Sequence, residues 1–468
     1  MSAPPLRVRR DVWSLDPWDE ALVWYARAVD RMQQRPRSDP TSWQYQAAIH
    51  GLNPWGQDPD FWDQCQHQTW HFLPWHRGYL NWFEDIVRMT ISELGGPHAG
   101  WALPYWNYSD AQNPNARVLP PAFRDERTPD GAANPLFVRQ RRPAVNRGQP
   151  IGPPRDVSVA ALDIPRFEAD PHGASGGFGG PRTGFNHGGG TFGELEAAPH
   201  GLVHVDIGGL MGDPATAALD PIFWTHHANI DRLWEIWRQQ SSHKEPTATS
   251  WRNLRFKLHD AQKRVVVFRA AEMLDTTRPP LSYKYDSLAD PRGAAAPPKA
   301  ETAFEMTPPE DDKTLPEMVG ATDTPVRLGA TPTSTTIKVE APTGPAAETI
   351  AAARETQRVF LNLENVVGTH ASTNYDVYVN LPEGADLAEH ADRLAGVLPT
   401  FGIERASSRD DEHGGGGLHA AFDITNLANH QREQGQWDPE ALRVTFVPRE
   451  APDDAAQLSV GRVSVYYK

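Results

Sequence analysis

The sequence predicts a mainly α-helical bundle in its first part and an all-β, sandwich-like domain in its last. Three observations carry this. Histidines recur at helical spacing inside amphipathic runs up to about residue 240. Residues 291–325 are rich in Pro, Ala, Thr and acids, the composition of a linker. Beyond them come short alternating stretches, TTIKVEA, RVFLNL, YDVYVNL, ALRVTFVP and QLSVGRVSVYY, spaced as strands of a sandwich. The reading is therefore a helical domain over 1–290, a linker over 291–325 and a β domain over 326–468.

Composition narrows the class. The 468 residues suffice for two domains with sizeable cores. Net charge is −15 and no basic patch stands out, so nucleic acid and anionic membrane are poor partners. Sixteen tryptophans and 43 prolines point to long, packed, irregular loops. The one cysteine, Cys65, forbids an intramolecular disulfide, so packing must hold the fold. The N-terminus MSAPPLRVRRDVWSL lacks an apolar run, and a cytoplasmic location is the expectation.

In chain order, Ala21, Trp24, Tyr25, Ala28 and Met32 give the first helix an apolar stripe. Trp43, Ala47 and His50 share a helical spacing that puts His50 at the inner end of a second helix. Next comes HGLNPWGQDPDFWDQCQHQTWHFLPWHRGYLNWFE, holding His50, His67, His71 and His76. His67 and His71 stand four apart, so periodicity lets either join His76, and Pro74 interrupts the stretch. An amphipathic helix then runs from Trp75 to Met89, with Arg77 and Glu84 expected to pair. WALPYWNY (101–108) reads as extended. Residues 109–190 are loop-rich; His172 and His187 read as loop histidines, and Arg141 and Arg142 as a solvated charge run.

The centre of the chain is PHGLVHVDIGGLMGDPATAALDPIFWTHHANIDRLWEIW, residues 199–237. His200 and His204 lie four apart on one helix face. Ile230, Leu233, Trp234 and Trp237 give the following helix an inward stripe, with His226 and His227 at its start; periodicity does not choose between these two. Imidazole trios suit zinc, copper, iron or nickel. Two trios without a carboxylate are unusual for a zinc hydrolase and suit a copper pair.

These residues resemble the tyrosinase family, the type 3 copper proteins. One family signature falls on His67–Phe72, Trp75, His76, Arg77, Leu80 and Glu84. The other falls on Asp220, Pro221, Phe223, Trp224, His227 and Asp231. The resemblance spans about residues 7–290 and, more loosely, the C-terminal region, which looks like that of plant polyphenol oxidases. It implies copper ligands His50, His67, His76 and His200, His204, His227, leaving His71 to packing. By the same likeness a thioether joins Cys65 to His67. The likeness to plant polyphenol oxidases also implies that Glu196, four before His200, holds a water that deprotonates a phenol. Gly201, Val205, Met211 and Pro214 fall at pocket positions, Asn229 and Asp231 are anchors behind the imidazoles, and Tyr283-Lys284-Tyr285 closes the core domain.

The function implied is oxidation of o-diphenols, small phenolic substrates, to o-quinones, with two copper ions as cofactor and O2 as co-substrate. Efficient monophenol hydroxylases often carry Asn where Gly201 stands, which leaves catechol oxidation as the firmer expectation. The C-terminal domain is expected to keep the enzyme latent, and a copper-loading chaperone is compatible with the reading. The alternatives are an o-aminophenol oxidase and a hemocyanin-like oxygen carrier. The Gly414–Gly417 run reads as a flexible loop.

Overall fold

A computed structural model describes residues 6–51, 61–169, 175–185, 190–293, 316–340, 358–408 and 415–468. It divides into two compact units. The first comprises residues 1–168, 178–187 and 195–296, and the second 169–177, 188–194 and 297–468. His172, His187, Gly414 and most of the linker stretch lie outside the described residues.

Among the described residues, five α-helices longer than five residues frame the first unit. Helix α1 (Glu20–Gln33) is started by Asp19, whose carboxylate accepts the Ala21 N–H. Its inner face is Leu22, Tyr25, Val29 and Met32, and Trp24 is only half-buried. Helix α2 (Trp43–His50) begins at a Ser42 cap and ends on His50. Helix α3 (Phe72–Glu93) starts before Pro74, earlier than the sequence suggests. A proline in the first turn lacks only an N–H that has no partner there anyway. A wide turn over Glu196–Gly201 runs into α4 (Leu202–Ile207), and α5 covers Ile222–Arg238.

The ends of this unit meet. Arg7–Arg9 pairs in parallel with Tyr283–Tyr285, Arg9 opposite Tyr285. Beneath that ladder lies a buried ionic hub. Asp231 on α5 accepts Arg77 Nε at 2.5 Å, Arg9 Nη1 at 3.3 Å and the hydroxyls of Tyr283 and Tyr285 at 2.5 Å each. Glu84 binds Arg7 at 2.6 Å and Arg9 at 2.8 Å. The expected Arg77–Glu84 pair is not made: seven residues along a helix is about 10 Å of rise, and each finds a nearer partner, Arg77 adding Glu235 at 2.8 Å. Burial alone would raise both carboxyls, but the guanidiniums outweigh it and hold Glu84 and Asp231 below their ordinary values. Arg141 is likewise not solvated. It is buried and grips Asp220 with two nitrogens, at 2.8 and 2.6 Å.

The second unit has two sheets. One orders Leu394–Leu398, Tyr375–Val379, Leu442–Pro448 and Thr333–Ile337, all antiparallel. The other runs from Gly190–Thr191 through Leu418–Asp423, Val359–Val367 and Ser459–Tyr467 to Glu317–Ala321. That last strand falls inside the stretch read as linker, so the β domain starts before residue 326. Its Val319 is buried and its backbone pairs with Ser464–Tyr467. Tyr375–Val379 is buried on both faces, not one. Leu381, Ala385 and Leu394 cover Tyr378 and Val447 on the outer side. Among the described residues no helix is long and apolar enough to cross a membrane.

Candidate metal centre

Six histidines converge inside the first unit. His50 closes α2, His67 stands in the loop before α3, and His76 sits one turn into α3. His200 and His204 come from the turn leading into α4 and from α4 itself, and His227 from α5. All six are buried. Ring centroids of His50, His67 and His76 are 5.2–5.6 Å apart, and those of His200, His204 and His227 are 4.6–5.5 Å apart. The trios interlock: His76 and His227 stack at 4.5 Å, and His67 lies 5.5 Å from His200.

Backbone carbonyls fix which nitrogen faces inward. Nδ1 of His50 lies 2.8 Å from the Pro214 oxygen, that of His76 2.8 Å from Phe72, and that of His204 2.8 Å from Met211. Nδ1 of His200 is 3.3 Å from the Glu196 carbonyl. A carbonyl only accepts, so each Nδ1 carries the proton and each Nε2 keeps a bare lone pair. These lone pairs point at other imidazole nitrogens: Nε2 atoms of His50 and His67 are 3.3 Å apart, as are those of His204 and His227. The Nε2 of His76 is buried with no hydrogen-bond partner among the described residues.

Four such lone pairs gathered in one buried space are ready donors to a cation. Burial first, and then the neighbouring imidazoles, hold His76, His200, His204 and His227 far below the ordinary histidine value. The rings are thus neutral, the form that ligates metal. This all-nitrogen donor set fits a pair of copper ions. One nitrogen of His227 is also within 4.8 Å of those of His50 and His76, so the two metal positions are adjacent.

The other expected residues divide. Phe223 packs against the rings of His227 at 4.1 Å and His50 at 4.9 Å. Glu196 is buried; both its oxygens lie 2.9 Å from the Gln68 N–H, and one lies 3.6 Å from His67 Nδ1. Cys65 is buried, its sulfur within 4.8 Å of ring nitrogens of His50 and His67. Gly201, Val205, Met211 and Pro214 are all buried. Met211 and Pro214 hold imidazoles with their carbonyls, a role no side-chain pattern reveals. Among the described residues the Asp231 carboxylate is bonded by Arg77, Arg9, Tyr283 and Tyr285 of the ionic hub and not by an imidazole. Asn229 lies beside Tyr108, and among the described residues its amide makes no hydrogen bond to an imidazole. His71 stands apart, its Nε2 3.4 Å from the Trp251 oxygen, with burial pushing it down to about 4. His226, which the signature passes over, lies inside the second cluster.

Comparison with known proteins agrees with this centre. The model of the common central domain of tyrosinase matches residues 40–240, which contain all six histidines, and a domain of unknown function matches 315–468. Tyrosinase HcTyr1 of Hahella sp. (strain CCB-MM4) is 37% identical over 98% of this chain and 99% of its own. A chloroplastic polyphenol oxidase of Vitis vinifera is 29% identical over 62% of this chain, which spans 49% of that relative. Latent apple tyrosinase shares the fold across 100% of this chain and 98% of its own, at a TM-score of 0.63 and 22% identity. On the likeness to the Hahella protein along both chains, and on the histidine centre, this chain belongs to the tyrosinase family of dicopper oxidoreductases that act on phenols.

Proposed function

We propose that the protein is a polyphenol oxidase that converts o-diphenols to o-quinones with O2. The observation that carries this is the convergence of six buried imidazoles, with the Nε2 atoms of His50 and His67, and those of His204 and His227, 3.3 Å apart. In this reading His50, His67 and His76 hold one copper and His200, His204 and His227 the other. When bound, the ions would supply the one-electron steps that let O2, with its two unpaired electrons, react with spin-paired phenols. The chain's own residues position and insulate: the carbonyls of Pro214, Phe72, Glu196 and Met211 lock ring orientation, and Phe223 seals the rear of the rings.

Glu196 is the residue we assign to phenol deprotonation. The Gln68 N–H anchors its carboxylate, and the remaining lone pairs can orient a water toward an incoming hydroxyl. Gly201 in place of an amide leaves that water with one holder fewer, so diphenol oxidation is the main activity and monophenol hydroxylation the lesser. The Cys65 sulfur within 4.8 Å of a His67 ring nitrogen supports the thioether that the resemblance implies. Joining the two residues removes two hydrogens, with O2 as the oxidant, and intact-mass analysis reads the loss. The C-terminal unit keeps the enzyme latent in this reading.

The test is elemental analysis and catechol turnover of the copper-loaded chain, before and after limited proteolysis within 294–315. Two coppers per chain and catechol oxidation that rises on cleavage are expected. Full turnover with one copper or none would end the proposal, and copper-loaded protein silent in both states would favour an oxygen carrier.

A further inference from the structure

The second trio has a fourth imidazole beside it. His226 precedes His227 on α5 and is fully buried, and neither of its ring nitrogens has a hydrogen-bond partner among the described residues. Its ring stacks on His200 at 5.4 Å and 22°, meets His204 edge-on at 4.8 Å, and lies 5.0 Å from His227. One nitrogen from each of His200, His204, His226 and His227 falls within a set no wider than 4.8 Å. Donors around a metal bonded at about 2.0 Å stand roughly 3 to 4 Å apart. Small ring rotations therefore bring all four to one ion.

A neutral imidazole buried without partners leaves a donor and an acceptor unmatched, at about 1–3 kcal/mol for each. Phenylalanine would fill a comparable space without that cost. The other histidines near the cluster are accounted for: His71 turns its Nε2 to the Trp251 carbonyl. Tyr108 faces His226 at 5.5 Å from the opposite side, ring to ring and without a hydrogen bond to it. What the His226 nitrogens can reach is the metal position.

We propose that His226 is a fourth nitrogen donor of the second copper position, a reserve ligand that retains the ion when one of the other three imidazoles swings away. This rests on the reading above that the second trio holds copper. It makes the two positions unequal: among the described residues, the group beside His50 and His67 that belongs to neither trio is the Cys65 sulfur, not an imidazole.

The test uses the full chain loaded with copper(I) under argon and titrated with bathocuproine disulfonate, copper per chain being measured by elemental analysis. His226→Phe should release one of its two coppers at a chelator concentration at least about tenfold lower than wild type. His226→Met, which restores a soft donor for copper(I) but neither imidazole hydrogen-bonding nor ring stacking, should hold copper better than His226→Phe. Identical release curves for wild type and His226→Phe would overturn the inference, as would a common curve for the Phe and Met variants. Urea unfolding of the metal-free proteins completes the test: metal-free His226→Phe should be at least as stable as wild type, since it removes the two unmatched nitrogens, and a loss of stability as large as the loss in copper binding would also overturn it. Wild-type protein that takes up no copper would sink the polyphenol oxidase reading itself; two coppers with no effect of His226 would sink the reserve ligand alone.

Discussion

Nδ1 of His50 lies 2.8 Å from the carbonyl oxygen of Pro214, a residue 164 positions further along the chain. The Met211 carbonyl, three residues earlier in the same loop, holds His204 at 2.8 Å. One loop thus orients one ring from each trio. Gly51 packs directly beneath it. A Cβ there would come within 2.4 Å of both the Pro214 oxygen and the Ala215 Cα.

Gly51→Ala should therefore push the Pro214 carbonyl off His50 and loosen the first copper position. We expect copper affinity to fall about 10- to 100-fold, the usual cost of losing a partner behind a metal-bound imidazole. Competitive chelator titration checks it, and unchanged affinity would show that the loop does not orient the ring.

Glu196→Gln should separate the two phenol activities. Monophenol hydroxylation should drop about 10²-fold, the scale of losing a positioned base, while catechol oxidation and copper content stay within about threefold. Parallel oxygen-uptake assays on tyrosine and its catechol give the ratio. A proportional fall in both would remove Glu196 from the deprotonation step.

Asp231→Asn leaves Arg77 and Arg9 buried without their shared carboxylate, so it should cost about 3–5 kcal/mol of stability. Tyr283→Phe removes one hydroxyl bond to the same carboxylate and should cost roughly 1 kcal/mol. Urea unfolding measures both. The hub also sets an acid limit. Folding holds Glu84 and Asp231 below their ordinary values, so their contribution is complete above the unfolded carboxylate range and drains away as pH falls through the depressed folded values.

His71 titrates in another window. Its folded value of about 4 lies below the ordinary 6.5, so the unfolded chain binds the extra proton between the two and stability falls as pH drops from 6.5. For metal-free protein, His71→Phe should flatten the stability–pH slope between those values by up to about 1.4 kcal/mol per pH unit. Equal slopes would mean that His71 does not stay neutral in the folded state.

Much of this architecture can be read from residue order, because it depends on periodicity. His200 and His204 four apart, and Trp43, Ala47 and His50 on one face, place ligands on helices without any coordinates. The late strands announce themselves by alternation. What stays hidden depends on contacts across the chain. Arg77 and Glu84 look like partners on one helix, but Arg7, Arg9 and Asp231 arrive from either end of the unit and claim them. Arg141 looks solvated until Asp220 meets its guanidinium. Leu394–Leu398 and Leu418–Asp423 alternate too weakly to stand out, and the Pro214 and Met211 carbonyls carry no side-chain signal. His226 and His227 are adjacent letters of the same kind, and only the packing of α5 shows that both face the cluster.

The parallel pairing of Arg7–Arg9 with Tyr283–Tyr285 has a practical consequence for cutting the gene. The first and last segments of the helical unit zip together over Asp231, so trimming either one uncovers charges that the other was matched to. A recombinant fragment intended to isolate catalysis should begin no later than residue 6 and run past residue 290. A boundary placed ten residues inside either limit should yield insoluble protein, however intact the histidines.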